Sequence, residues 1–188
     1  NASQAANACM KVAWGVPDVE KLAKRAKELA EDGKIDDLSG LADDKVYLFS
    51  GDEDQTVERP VVEAAKRFYA AAGVPEGSVT FVERKGGHAF ITETEGTAWG
   101  LSEQPYASDC DYDQAKAGLE WIYGAPLADP STTPTGKFIV FDQSSFADGV
   151  ANGLAAEGVV YVPAACETNR GCRLHIALHG CEQARESV

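Results

Sequence analysis

Apolar residues recur at helical spacing in two stretches and cluster into short runs elsewhere. Pro17-Asp18 opens the first helix. Val19, Leu22, Ala26 and Leu29 carry one apolar face to about Ala30, with Asp18 as N-cap and Gly33 near the stop. Lys45–Ser50 is a short apolar run ending at Gly51 and predicts a strand. A second helix is predicted from Pro60 to Ala72, closed by Gly73, with Val61, Val62, Ala65, Phe68, Tyr69 and Ala72 as its buried stripe. Val79–Val82 predicts the next strand, and Asp113–Tyr123 a third helix. Gly124–Gly136 is rich in Pro, Thr and Ser and reads as a connection. Beyond it the pattern predicts strands at Lys137–Phe141, Val159–Val162 and Arg173–Leu178. The alternation of strand and helix in the first part predicts an α/β fold with a mostly parallel sheet and flanking helices.

Composition narrows the picture. A chain of 188 residues, 44% hydrophobic and 25% charged, suits one globular domain spanning residues 1–188. No run approaches the ~20 apolar residues of a membrane-spanning helix. The net charge of −13 repels phosphate backbones and anionic lipid, so neither nucleic acid nor membrane is an expected partner. Five cysteines are present, at 9, 110, 166, 172 and 181, with no C-x-x-C pair to suggest zinc. Cys166 and Cys172 flank a polar segment of five residues and form a natural small disulfide loop.

Two loops past predicted strands carry candidate chemistry. One is Gly51-Asp52-Glu53-Asp54-Gln55-Thr56-Val57, and the other is Gly86-Gly87-His88-Ala89-Phe90. Loops at the carboxyl ends of parallel strands are where α/β folds place their sites. An acid after one strand and a histidine after the next supplies two members of a Ser–His–Asp relay in hydrolase order. Glycines ahead of the histidine let the backbone turn tightly. The bland alternative, an acidic surface turn and a loop histidine, stays open on pattern alone.

Other constellations are weaker. His175 and His179 would sit ~13 Å apart on a strand, too far to share an ion. A strand ending in His179-Gly180-Cys181 does have the look of an oxyanion loop, in which backbone N–H groups face a carbonyl. Asp109, Asp111, Asp113 and Glu120 meet a calcium-loop template except at its required glycine, where Gln114 stands. Neither a metal nor a cofactor is expected. A nucleophile elbow of the form G-x-S-x-G does not occur in these residues. The nearest approach, Gly100-Leu101-Ser102-Glu103-Gln104, lacks the second glycine, and Ser144-Ser145 lacks both.

The ordered series Tyr47–Val57, Gly86–Phe90, Pro105–Asp113, Leu119–Gly124, Val159–Cys166 and Cys172–Cys181 resembles the catalytic domain of extracellular poly(3-hydroxybutyrate) depolymerases. The resemblance is to their circularly permuted form and runs from about residue 45 onward. It implies an α/β-hydrolase fold, permuted and incomplete, with the serine upstream of this chain. It implies Asp54 as the triad acid, His88 as the base, and His179-Gly180-Cys181 as the oxyanion segment. Cys166–Cys172 matches the family's short disulfide. The expectation is a secreted, monomeric serine carboxylic-ester hydrolase acting on polyester or a short-chain ester, with this chain alone inactive. The alternative is a catalytically inactive secreted protein that binds a polyester or a protein partner.

Overall fold

A computed structural model describes residues 2–129, 131–146, 155–168, 171–178 and 180. The chain divides into two compact units. The first holds residues up to Leu127 together with Gly180, and the second runs from Ala128 to Leu178. The division falls inside the Pro- and Thr-rich connection.

The first unit is built on helix α1 (Val19–Glu31), strand β1 (Val46–Gly51), helix α2 (Arg59–Ala72) and strand β2 (Val79–Arg84). Asp18 caps α1 by accepting the Lys21 amide at 3.0 Å, as its position before the apolar stripe predicts. Pro60 sits in the first turn of α2, where its missing N–H costs nothing, and Gly73 closes the helix at φ +110°. The two helices pack on each other, and their buried residues are small: Ala23 on α1, Ala64 and Ala72 on α2. Alanines let the backbones approach. Leu22, expected on the buried face, is instead 48% exposed.

Strands β1 and β2 pair in parallel, Val46 opposite Val79 through Gly51 opposite Arg84. α2 packs against both strands and makes the crossover between them. This register ends both strands at one edge, so the loops that follow Gly51 and Arg84 emerge side by side. Three short parallel strands follow in the order β3-β5-β4: β3 (Phe90–Thr92), β4 (Thr97–Ala98) and β5 (Ala107–Asp109). Ile91 and Ser108 at their centre are fully buried. Helix α3 (Gln114–Tyr123) packs on β1 and β3. Its N-cap is Asp113, which accepts the Lys116 amide at 2.8 Å, so this acid serves the helix.

The second unit is an antiparallel pair, β6 (Gly136–Asp142) and β7 (Glu157–Pro163). A disulfide joins Cys166 to Cys172 in the loop that the spacing suggests. Cys9 and Cys110 are free thiols. The strand expected over Arg173–Leu178 does not form, and the segment lies in the second unit rather than in the sheet of β1 and β2. A strand needs a ladder partner as well as an apolar pattern. Among the described residues β6 and β7 pair with each other, and Leu174, Ile176 and Leu178 stay 69–86% exposed.

Candidate active site

Asp54 sits in a turn that divides the work of its two oxygens. Oδ1 accepts the backbone amides of Thr56 at 2.8 Å and Val57 at 2.9 Å. Oδ2 is left for His88, whose Nδ1 lies 2.9 Å away. The amide of Asp54 closes the turn onto the Gly51 carbonyl. The carboxylate is therefore aimed by backbone close to β1 rather than by a flexible contact.

The histidine loop is held just as closely. Asp52 Oδ1 accepts the Gly86 amide at 3.1 Å, and the Glu53 amide donates to the Gly86 carbonyl at 3.0 Å. These bonds continue the strand pairing past the end of the ladder. The His88 amide donates to Ser102 Oγ at 2.7 Å. Glycine is required where the loops touch. A Cβ at Gly51 would collide with the Gly86 carbonyl, and one at Gly87 would lie 2.8 Å from the Gly100 carbonyl oxygen. Gly51 thus lets the acid loop approach the histidine loop, and Gly87 lets the histidine loop approach the segment at Gly100.

Burial pushes the Asp54 carboxyl up, but hydrogen bonds from His88, Val57 and Thr56 outweigh it and hold the group below the ordinary carboxylate range. Asp54 is thus ionised and can only accept. His88 Nδ1 must then carry the proton that it donates, which leaves Nε2 with its lone pair. The bond to Asp54 raises the His88 pKa, burial opposes that, and the charge of Asp54 adds to the rise. The side chain of Asp54 is 11% exposed and that of His88 is 42% exposed. The acid is shielded while the imidazole faces solvent.

His88 and Asp54 line a cleft of about 360 Å³. Its walls are mostly apolar, with Phe49, Val57, Val62 and Phe90, and it also takes in Tyr106, Gln114 and Gly180. Of the expected oxyanion residues, Gly180 lines this cleft, and His179 and Cys181 lie outside the described residues. His175 belongs to the second unit. Ser102 holds the His88 backbone. The pattern of the sequence did not reveal this role, nor the cleft positions of Tyr106 and Gln114, because each depends on contacts between segments. No group of three or more His, Cys, Asp or Glu among the described residues is arranged to hold a metal ion.

A parallel sheet with flanking helices, and an acid and a histidine at the ends of adjacent strands, make this a hydrolase-like α/β fold. No family model matches the chain. It is 37% identical over 179 residues to a poly(3-hydroxybutyrate) depolymerase of Delftia acidovorans, covering 93% of this chain and 35% of that protein. It is 36% identical over 162 residues to a polyhydroxybutyrate depolymerase of Talaromyces funiculosus, covering 82% of this chain and 46% of that one. The crystal structure of a PHB depolymerase from Penicillium funiculosum superposes with a TM-score of 0.81 at 32% identity, over 96% of this chain and 57% of that chain. A serine-to-alanine variant of a PHB depolymerase, complexed with an R3HB trimer, superposes at 0.82 with the same identity and coverage. The chain is a homologue of the poly(3-hydroxybutyrate) depolymerases, and it spans about a third to a half of the length of the curated relatives it matches.

Proposed function

We propose that Asp54 and His88 are the acid and base of a Ser–His–Asp relay that hydrolyses ester bonds in poly(3-hydroxybutyrate) or related short-chain hydroxyalkanoate polyesters. The observation that carries this reading is the 2.9 Å bond between His88 Nδ1 and an ionised, shielded Asp54, with the ring half-exposed in an apolar cleft. In the reaction His88 Nε2 takes the proton of a serine hydroxyl as that oxygen attacks the ester carbonyl. Asp54 keeps the ring in its tautomer and stabilises the imidazolium. The same proton then goes to the departing alkoxide, and water repeats the cycle on the acyl-serine. Backbone amides of His179-Gly180-Cys181 are proposed to stabilise the oxyanion, which makes the order of parts a permuted one. The serine lies outside these 188 residues, which contain no G-x-S-x-G elbow.

The disulfide supports secretion, because such bonds persist in oxidising compartments. No helix among the described residues is long and apolar enough to cross a membrane. The proposed enzyme acts as a monomer on polyester or short-chain ester, without nucleic-acid or membrane partners.

Two measurements test the reading. An active enzyme that unites these residues with a serine-bearing segment should release hydroxyacid from poly(3-hydroxybutyrate) particles faster than fatty acid from a long-chain triglyceride. The reverse preference would contradict the polyester assignment. The 188-residue chain alone should not be labelled by an organophosphonate, and labelling of Ser102, Ser144 or Ser145 would overturn the external serine. The missing elbow also supports a second reading, an inactive secreted protein that binds polyester or a protein partner. That reading predicts no hydrolysis even with the serine segment present.

A further inference from the structure

We infer that Gln114 is a substrate-binding residue of this cleft, donating from its side-chain Nε2 to an ester oxygen of the bound chain. The inference rests on the polyester reading above and adds a residue to it.

Gln114 is the first residue of α3, and it lines the same cleft as His88 and Asp54. Its Oε1 accepts the backbone amide of Ile91 at 2.9 Å. Ile91 is fully buried, so water cannot serve its N–H, and the carboxamide oxygen must. Flipping the carboxamide would set an NH₂ group against that N–H, donor against donor. The orientation is therefore fixed by the protein, and the nitrogen end is the one left over.

Nε2 has two hydrogens and no partner among the described residues. An ester repeat presents oxygens that accept hydrogen bonds and no group that donates. A cleft for such a chain needs donors. Asp54 is a pure acceptor, His88 spends its Nδ1 proton on Asp54, and most of the walls are apolar. Gln114 offers what the substrate lacks, on a side chain whose freedom has already been lost to Ile91. A pinned donor binds at less entropic cost than a free one.

The test uses an enzyme that unites these residues with a serine-bearing segment, its serine replaced by alanine, and a 3-hydroxybutyrate trimer as its neutral methyl ester, titrated by NMR. The Gln114 side-chain NH₂ signals should shift on addition of the trimer. Gln114→Glu keeps an oxygen for the Ile91 amide and removes the donor, so it should weaken binding ~10-fold with little change in Tm. Gln114→Leu removes both groups and should weaken binding and lower Tm together. Unshifted NH₂ signals, or Gln114→Glu binding within twofold of the parent protein, would overturn the role of Gln114 and leave the polyester reading intact. A Tm loss in Gln114→Glu as large as in Gln114→Leu would make the residue structural. A parent protein that does not bind the trimer at all would overturn the polyester reading itself, and the Gln114 assignment with it.

Discussion

At the scale of residues, the site is a carboxylate and an imidazole whose pKa values are driven apart. His88 is raised, first by the bond to Asp54 and then by its charge, against the opposing effect of burial. A general base works only when neutral, so the rising limb of kcat/KM against pH should lie above the ordinary histidine value of ~6.5. NMR titration of the His88 ring in the chain should give a midpoint on the same side. Asp54→Asn removes the cause and should bring that midpoint down, and an unchanged midpoint would contradict the assignment. The sign for stability follows. A histidine with a raised folded-state pKa contributes stability below its unfolded pKa and loses it as pH rises through the folded value. Asp54, held below its ordinary value, contributes stability above its unfolded pKa and loses it as pH falls through the folded value. The acid and the histidine are legible in the sequence because each follows an apolar run and a glycine. Which acid faces the ring is less so, since Asp52, Glu53 and Asp54 share one loop. Asp52 turns out to hold the Gly86 amide. Asp52→Asn keeps an accepting oxygen and should leave kcat within a few-fold.

At the scale of elements, two parallel strands ending at one edge bring the acid and histidine loops together, and glycine sets their distance. Gly51→Ala puts a methyl group into the Gly86 carbonyl. It should cost about 1–3 kcal/mol of stability, in the range of overpacking, and also weaken the Asp54–His88 bond. Denaturant melts together with the His88 titration check both effects, and an unperturbed Tm would show that the two loops do not touch there. The strands β1, β2, β6 and β7 and the three helices were legible from periodicity, capping residues and bounding glycines, but the antiparallel pairing of β6 with β7 was not. The strands β3, β4 and β5 were not. They are two or three residues long, and their pairing depends on loop contacts such as Phe90 N–H to the Tyr106 carbonyl. The segment Arg173–Leu178 failed for the converse reason. Its apolar pattern is that of a strand, but no described neighbour completes a ladder.

At the scale of the whole molecule, the chain combines a hydrolase-like first unit with a second unit stapled by one disulfide. Peptide mapping without reduction should find Cys166 and Cys172 in one cross-linked pair, with Cys9 and Cys110 open to alkylation. Cys166 and Cys172 recovered as free thiols would count against both the bond and the proposed export. The central claim is that Asp54 and His88 act as one catalytic unit, and it is tested most directly by turnover. In an active enzyme that joins these residues to a serine-bearing segment, Asp54→Asn and His88→Ala should each lower kcat ~10³-fold or more, and the double variant should fall little further. Either single variant retaining kcat within about tenfold of the parent, well short of that loss, would contradict the account.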